Sequence, residues 1–399
     1  MRKTLLTLIC VGSMITTYAG GFRVSLQGIK QAAMGHTGVA VVHDASSAFF
    51  NPAGLALIDS KWSVSAGVFG ISAGVNYQNR LDGTSYNTDN GLGTPMGLYV
   101  SHKLSDKLAV GLGVYTPYGN TVDWGNDWSG QALIRNISLQ AFFIQPTLSY
   151  KLNDWASVGA GLIYATGNVE LNRAFSAAGN VNLKSDGADG IGYNLGLMLK
   201  PHEKVQIGVN YRSEVKMEAE GSAKITSNQG VELSSLSDSW KADLPLAAEL
   251  TFGMAYMPTD KWVLEFDLNY AFWDSYKSLD FDFIEGRLPD SSSKRDYKNS
   301  FIYRVGASYD FNDRWTGRLG AYYDETPSPN SYFSPETPTV DNRALTSGVT
   351  YNFKNGFSID GSYLFLSGKE RSFTNVETGW SGDLKATTHI FGLGASYNF

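Results

Sequence analysis

The sequence contains a single cysteine, Cys10, so it holds no internal disulfide framework. Beyond the N-terminus it has no apolar run of about 18 residues, which excludes a membrane protein built from helices. Acidic residues (38) outnumber basic ones (32) and no basic block occurs, which argues against nucleic-acid binding. Charged residues make up only 18% of the chain, whereas 43 glycines, 22 tyrosines and 21 phenylalanines are present. This composition favours a β protein rich in glycine and tyrosine.

The N-terminus has the layout of a secretory signal peptide. Arg2 and Lys3 precede an apolar stretch at residues 4–17, and small residues lead up to Ala19. We therefore expect residues 1–19 to be removed together with Cys10. A membrane anchor is the alternative, although the stretch is short for a span. An exported, acidic β protein without cysteine fits the envelope of a Gram-negative cell.

Short polar turns recur from residue 62 to the C-terminus, at residues 103–107, 151–155, 200–204, 257–261, 310–314 and 352–356. Each lies between apolar runs and contains Asn, Asp, Pro or Gly. The chain must go out and come back between consecutive turns, so each interval holds two strands and one far loop. The predicted far loops are residues 79–93, 117–135, 172–188, 219–239, 276–297, 326–341 and 369–384. Their content of Gly, Ser, Asn and Asp suits a water-facing surface.

The segments beside these turns alternate between apolar and polar residues, which is the strand pattern. We predict fourteen strands: 62–78, 94–103, 107–116, 136–151, 155–171, 189–200, 204–218, 240–257, 261–275, 298–310, 314–325, 342–353, 356–368 and 385–399. Aromatic residues near the strand ends resemble interfacial girdles: Trp62, Tyr99, Trp155, Trp262, Trp315, Tyr397 and Phe399. The fold class is therefore all-β, a 14-stranded antiparallel transmembrane β-barrel over residues 62–399 in the outer membrane, with both termini periplasmic. A soluble sandwich is the alternative.

Residues 20–61 do not alternate and are rich in Ala and Gly. Asn51 followed by Pro52 is typical of a helix start. Small side chains permit close packing in a narrow space, so we predict that this segment is a hatch inside the barrel lumen. A tether outside the barrel is the alternative.

Several of these segments resemble one known family. They are residues 21–25, 35–38, 44–46 and 51–54 in the hatch, and residues 145–151, 243–246, 257–262, 303–307, 314–321 and 324–327 with Pro338 in the barrel. They are similar to the FadL/TodX family of outer-membrane transporters for long-chain fatty acids and other hydrophobic compounds. The resemblance covers nearly the whole mature chain, and the Asn-Pro-Ala segment joined to such a barrel is its most specific part.

The resemblance implies passive, gated uptake of a hydrophobic ligand that leaves sideways through a gap beside the third strand. It implies that Phe22 and Val24 belong to a mobile N-terminus that touches the ligand. Asn51, Pro52 and Ala53 would shape the path near the wall, with simple helix capping as the alternative. We place the strand-3 kink within residues 111–119, at Gly111, Gly113, Pro117 and Gly119, because glycine and proline permit bends and broken pairing. Ordinary barrel-corner glycines are the alternative.

Three arginines have the parity of lumen-facing residues: Arg212, Arg304 and Arg318. They are candidates for contact with a ligand carboxylate, although ion pairing with Glu214, Glu249, Glu265, Asp267 or Asp360, which have the same parity, is the favoured alternative. Trp124, Trp128 and Leu133 are candidates for a first apolar groove, or for interfacial anchors.

Patterns for other chemistry are lacking. The five histidines are scattered without metal-ligand spacing, and no nucleophile, phosphate-loop or CxxC motif occurs. We therefore expect no enzyme activity, no metal and no cofactor. The expected partners are a fatty acid or hydrocarbon, outer-membrane lipid with lipopolysaccharide, and the barrel assembly machinery, with the protein as a monomer. A general diffusion porin and a surface adhesin are the alternative functions.

Overall fold

The structure is a computed structural model that describes residues 20–175 and 179–399. The predicted signal peptide, residues 1–19, lies outside the described residues. Within these ranges, no helix is long and apolar enough to cross a bilayer.

Fourteen antiparallel strands form the wall of a closed barrel, which confirms the predicted fold. In chain order they are β1 Trp62–Asn79, β2 Met96–Lys103, β3 Leu108–Asp123, β4 Asn136–Asn153, β5 Ala156–Phe175, β6 Gly179–His202, β7 Val205–Arg212 with Val215–Ser227, β8 Asp238–Leu246 with Ala248–Tyr256, β9 Trp262–Phe272, β10 Ser300–Asn312, β11 Trp315–Asp324, β12 Asn342–Asn352, β13 Phe357–Gly368 and β14 Ser381–Asn398. Strand β1 pairs with β14 from Ser63 opposite Asn398 to Asn79 opposite Gly382, which closes the sheet. Closure leaves no open sheet edge in the lipid region.

The remaining elements are short. The helices are α1 Ile29–Ala32 and α2 Ser47–Phe50, with single 3-10 turns at Pro52–Leu57, Trp273–Ser275 and Asn330–Tyr332. Short strands in the loops are Ser85–Asn87, Leu92–Gly93, Ser278–Phe283, Ser291–Lys294 and Arg371–Thr374. The two α-helices and the first 3-10 turn all belong to residues 20–61, which we call the hatch segment.

The alternation along each strand separates an outward apolar face from an inward face. On β14, Phe391 and Leu393 are 61% and 62% exposed, whereas Ile390 is 4% exposed. Exposed leucine and phenylalanine side chains on an outer-membrane barrel contact lipid. Tyr99 is an exception to the predicted girdle, since it is buried inside the barrel and stacks on Tyr115 with ring centroids 5.6 Å apart.

Two predicted far loops are wrong. Most of residues 172–188 and much of residues 219–239 extend the strands β5 to β7 beyond the membrane region. The alternation continues there with polar residues on the outer face, such as Lys184 and Glu220, and apolar residues such as Leu183 on the inner face. Water on the outside of these extensions explains why their composition looks like that of loops.

Strands β7 and β8 are both interrupted at the same height. Ser213 and Glu214 separate the two parts of β7, and Ala247 separates those of β8. The interruption of β7 reverses its parity, so that Val215 is buried and Lys216 is exposed.

Candidate functional site

The hatch segment lies against inward-facing glycines of the barrel wall. A Cβ atom on Gly208 would lie 1.9 Å from the Val39 carbonyl oxygen, and one on Gly196 would lie 2.1 Å from Asn51 Oδ1. Gly159, Gly306 and Gly320 make equally close approaches to the hatch backbone. Only glycine permits such approaches, so the hatch packs directly against the wall at these five glycines, which we call the hatch seats.

Asn51 joins the hatch to itself and to the wall. Its side-chain oxygen accepts a hydrogen bond from the Ala53 N–H at 3.2 Å, as an N-cap does. Its side-chain nitrogen donates to the carbonyl oxygens of Val39 at 2.8 Å and Leu197 at 3.0 Å. Pro52 and Ala53 are buried beside it. Helix capping and wall attachment therefore occur together at this residue.

Two buried cations of the hatch pair with carboxylates of the wall. Arg23 lies 2.9 Å from a Glu249 oxygen and 3.5 Å from an Asp324 oxygen. Lys30 lies 3.3 Å from Asp44, within the hatch, and 3.9 Å from Asp360 of the wall. Because a buried charge without a partner is costly, these pairs fix the position of the hatch.

His43 and His36 of the hatch are also buried against the interior. His43 Nε2 lies 2.7 Å from a Glu265 oxygen. His36 accepts a hydrogen bond from the Gln27 N–H at 3.2 Å. Burial, followed by nearby Arg304 and Arg23, lowers the pKa of His36 well below its usual range. Neutral His36 is therefore a part of the docked hatch.

Strand β3 leaves its neighbour β2 partway along its length. The pairing of the two strands ends with Gly97 opposite Tyr115. The register of β3 on β4 then shifts between Tyr115 and Tyr118, at Thr116 and Pro117. This shift lies within the range predicted for the kink. On its other edge the displaced segment stays paired with β4, whereas on the edge that β2 has left it bonds to the hatch: the Val24 N–H donates to the Pro117 carbonyl at 2.8 Å, and the Gly119 N–H donates to the Phe22 carbonyl at 3.0 Å.

A cavity of about 290 Å³ opens in the wall where β2 and β3 separate. We call this opening the window. Its lining includes apolar residues from the hatch, from β1 to β4 and from the loop before β2: Val24, Ile71, Leu92, Pro95, Met96, Tyr118, Leu139, Ala141 and Phe142. Leu92 and Met96 are 68% and 52% exposed on its outer side. The window therefore connects the hatch N-terminus with the lipid-facing surface.

The upper rim of the window is held by Asn90. Its side chain donates to the Ala73 carbonyl of β1 at 2.9 Å and accepts from the Asp123 N–H of β3 at 2.8 Å. Sequence reasoning missed this residue, because it treated residues 79–93 as an ordinary far loop. An asparagine followed by glycine signals a turn, and nothing in that signal shows that its side chain links two strands.

Phe22 lies in a pocket of aromatic rings inside the barrel. Its ring centroid is 5.1 Å from that of Trp273, 5.8 Å from that of Tyr276 and 5.9 Å from that of Tyr118. Tyr118 also donates a hydrogen bond to the Ala247 carbonyl at 3.0 Å, across the lumen at the interruption of β8. The displaced part of β3, the hatch N-terminus and the far wall thus meet at this point.

Gly111 and Gly113 of β3 lie below the shift, where the strand is regularly paired. A Cβ atom on Gly111 would lie 2.5 Å from Leu55 of the hatch, and one on Gly113 would lie 3.0 Å from the Tyr99 ring. These two glycines therefore make room for interior side chains and do not bend the strand. A Cβ atom on Gly119 would meet no atom nearer than 3.4 Å.

The three arginines face the interior, but the favoured ion pairs are wrong. Within the described ranges no carboxylate lies within 4.0 Å of any of them. Arg212 instead donates to Tyr115 Oη at 2.8 Å and to the Phe49 carbonyl at 2.9 Å. Arg304 approaches Ser25 Oγ at 3.4 Å, and Arg318 donates to Thr350. Arg304 borders a small internal pocket beside Arg23 and Val24, whereas Arg318 borders a cavity of about 290 Å³ with Lys30 and His43 near the short turns.

The extracellular half of the lumen is filled with apolar side chains, including Ile163, Ala165, Met217 and Leu246. Trp124 and Trp128 are 5% and 1% exposed and stack with ring centroids 4.7 Å apart. They are buried within the loop cluster and do not line an open groove. Among residues 20–175 and 179–399, no group of three His, Cys, Asp or Glu side chains is arranged to hold a metal ion.

Comparisons with known proteins agree on one family. The sequence model of the family described as "Outer membrane protein transport protein (OMPP1/FadL/TodX)" matches residues 9–399. The chain is 25% identical to a 47 kDa outer membrane protein of Pasteurella multocida, over 94% of this chain and 92% of the relative. It is 24% identical to a long-chain fatty acid transport protein of Escherichia coli, over the full length of both.

Solved structures share the fold. A FadL homologue of Pseudomonas aeruginosa superposes with a TM-score of 0.85 at 21% identity, over 95% of this chain and 100% of that chain. The toluene transporter TodX of Pseudomonas putida superposes with a TM-score of 0.77 at 18% identity, over 93% of this chain and 98% of that chain.

Proposed function

The chain belongs to the OMPP1/FadL/TodX family of outer membrane transport proteins, and from this premise we propose that it takes up long-chain fatty acids or other hydrophobic small molecules. Uptake is passive, and the ligand leaves the barrel through the window into the outer membrane. The protein acts as a transporter and has no catalytic activity of its own.

The window carries this proposal. The hatch segment contacts two sides of the barrel interior, β4 to β6 through Pro52–Leu57 and β12 to β14 through Ile29–Ala32, so a ligand that passes straight through would have to displace it. The window offers a lateral route lined by apolar side chains and opening beside the exposed side chains of Leu92 and Met96. An apolar molecule gains free energy when it leaves water for such a lining and then for lipid. It would gain no comparable contact from a water-filled pore.

The names of relatives define the ligand class. One relative is a long-chain fatty acid transport protein, and a protein with the same fold is a toluene transporter. Both ligands are mainly apolar, and only the fatty acid carries a carboxylate. The apolar interior of this chain suits both, and Arg304 beside the hatch N-terminus is the best placed of the three arginines to meet a carboxylate.

The hatch N-terminus has the position of a gate. The backbones of Phe22 and Val24 hydrogen-bond to the displaced part of β3, and Val24 also lines the window. Release of the ligand requires these bonds to open, while Asn51 and the hatch seats hold the rest of the hatch in place. Lipid and lipopolysaccharide surround the barrel, which is inserted by the barrel assembly machinery and acts as a monomer.

Uptake by whole cells tests the proposal. A strain that lacks the protein should take up radiolabelled oleate and toluene more slowly than the same strain expressing it. Equal uptake of both compounds would refute transport of these ligands. Swelling of proteoliposomes in small sugars provides the control, because rapid swelling would identify a general diffusion porin.

A further inference from the structure

The loop between β11 and β12, residues 326–341, is folded into the extracellular mouth of the barrel. We call it the outer lid. Although it was expected to face water, most of its residues are buried, and Phe333 and Val340 are fully so. A loop buried in this way needs partners for its backbone polar groups.

Arg371, from the neighbouring loop, supplies several of these partners. Its guanidinium donates to Asn330 Oδ1 at 2.9 Å, to the Thr339 carbonyl at 2.7 Å and to the Ser328 carbonyl at 2.6 Å. Its central carbon also lies 4.4 Å from the centroid of the Phe333 ring. One planar side chain therefore holds both ends and the middle of the outer lid, which a lysine with a single nitrogen cannot do.

A second attachment lies on the opposite side of the outer lid. Arg295 pairs with Glu336, and Arg295 is 2% exposed. Beside it, the hydroxyl groups of Tyr297 and Thr337 lie 2.9 Å apart. Opening the outer lid would separate a buried charge pair, and this is favourable only if water or another group replaces the lost contacts.

The outer lid covers the upper part of β3. Asn120 Nδ2 donates to the Glu336 carbonyl at 2.5 Å, and Trp124 Nε1 donates to the Pro335 carbonyl at 2.9 Å. Val122 lies between them on the same face of the strand and is 0% exposed. The outer lid therefore closes the lumen directly above the segment that borders the window.

We propose that the outer lid is the extracellular gate of the ligand path, and that Arg371 and Arg295 are the positioning residues that hold it closed. This inference rests on the proposed function for the direction of transport. The closure itself follows from the contacts and is testable without any ligand. A hydrophobic molecule arriving from outside must lift residues 326–341 before it reaches the aromatic pocket and the window.

Thiol labelling measures opening of the outer lid. The sequence has no cysteine after Cys10, so Val122→Cys provides a single reporter under the lid. In that background Arg371→Lys should speed maleimide labelling of intact cells about tenfold or more, because several hydrogen bonds from one charged group are lost. Arg343→Lys, on an exposed arginine of β12, is the matched control and should leave the rate unchanged. Equal labelling in the Arg371→Lys variant and its parent would overturn the proposal.

Cross-linking tests whether opening is needed for transport. Ser331 and Val376 are both exposed, and the Val376 N–H donates to the Ser331 carbonyl at 2.9 Å. A short thiol cross-linker joining cysteines at these two positions should abolish oleate and toluene uptake, and reduction should restore it. The control pair Glu170→Cys and Lys184→Cys, opposite each other on β5 and β6, should transport normally when cross-linked.

The two experiments separate the inference from the proposed function. Normal uptake with the outer lid cross-linked would overturn the gate, even if the wild-type protein transports both compounds. Faster labelling in the Arg371→Lys variant, with no uptake by the wild-type protein, would support the closure and refute the proposed function.

Discussion

Substitution of Gly208 by alanine should loosen the hatch without opening the barrel wall. The added methyl group would lie 1.9 Å from the Val39 carbonyl oxygen, well inside contact distance. Neither partner is the end of a flexible side chain, so the hatch backbone must move. Overpacking of this kind costs about 1–3 kcal/mol, which raises the population of displaced hatch roughly 5- to 150-fold, since 1.36 kcal/mol corresponds to a factor of ten.

A cysteine in the hatch gives the assay for this prediction. Ser47→Cys is nearly isosteric and lies at a position that is 1% exposed. Its labelling by a maleimide should be about tenfold faster in the Gly208→Ala background, in line with the displaced population. Gly361→Ala is the matched control, because a methyl group there would meet no atom within 4 Å. Heat modifiability on gels checks that each barrel is closed.

Equal labelling rates in the Gly208→Ala and Gly361→Ala proteins would show that Gly208 does not hold the hatch in place. Faster labelling of the Gly208→Ala protein together with loss of heat modifiability would likewise contradict a role for Gly208 in holding the hatch. In that case the glycine would serve the wall and not the hatch.

Three further predictions concern the hatch and its neighbours. Asn51→Asp keeps the cap but loses the hydrogen-bond donor to the Val39 carbonyl. It should therefore raise the maleimide labelling rate of a hatch cysteine by about tenfold, nearly as much as Asn51→Ala does. A labelling rate in the Asp variant as low as in the wild-type protein would show that only the cap matters. Tyr118→Phe removes the bond to the Ala247 carbonyl and should raise the rate of ligand uptake a few-fold at unchanged protein level, and an unchanged rate would show that this bond does not restrain the displaced strand. The pKa of His36 is depressed only while the hatch is docked, so protonation of the undocked form below about pH 6.5 should favour undocking. The difference in the labelling rate of a hatch cysteine between the wild-type protein and the His36→Asn variant should therefore grow as the pH falls below that value. A difference that stays constant with pH would contradict this.

The barrel was predictable because apolar and polar residues alternate along most of its strands. The parity of Arg212, Arg304 and Arg318 placed all three on the inward face, where the structure has them. Parity gives no information on distances across the lumen, so it did not show that Arg212 meets Tyr115 and the hatch backbone rather than a carboxylate. Those partners come from distant parts of the chain.

Other features were missed because the same residue types serve two environments. Residues such as Lys184 and Glu220 suggested a loop, yet they lie on the water-facing outer side of long strands. The aromatic side chain of Tyr99 suggested a girdle, yet it faces inward and stacks on Tyr115 of β3. The polar composition of the outer lid predicted a loop exposed to water. Its burial depends on Arg295 and Arg371 from other loops, and the composition of the lid alone does not reveal these contacts.

The most direct test of the account is ligand uptake with the window filled. Ala141 lines the window and is 1% exposed, whereas Ile144 on the same strand is 36% exposed toward lipid. The account predicts that Ala141→Trp abolishes uptake of radiolabelled oleate and toluene, while Ile144→Trp leaves it unchanged, with both barrels heat-modifiable and equally abundant. Wild-type uptake by the Ala141→Trp protein would contradict lateral exit through this window.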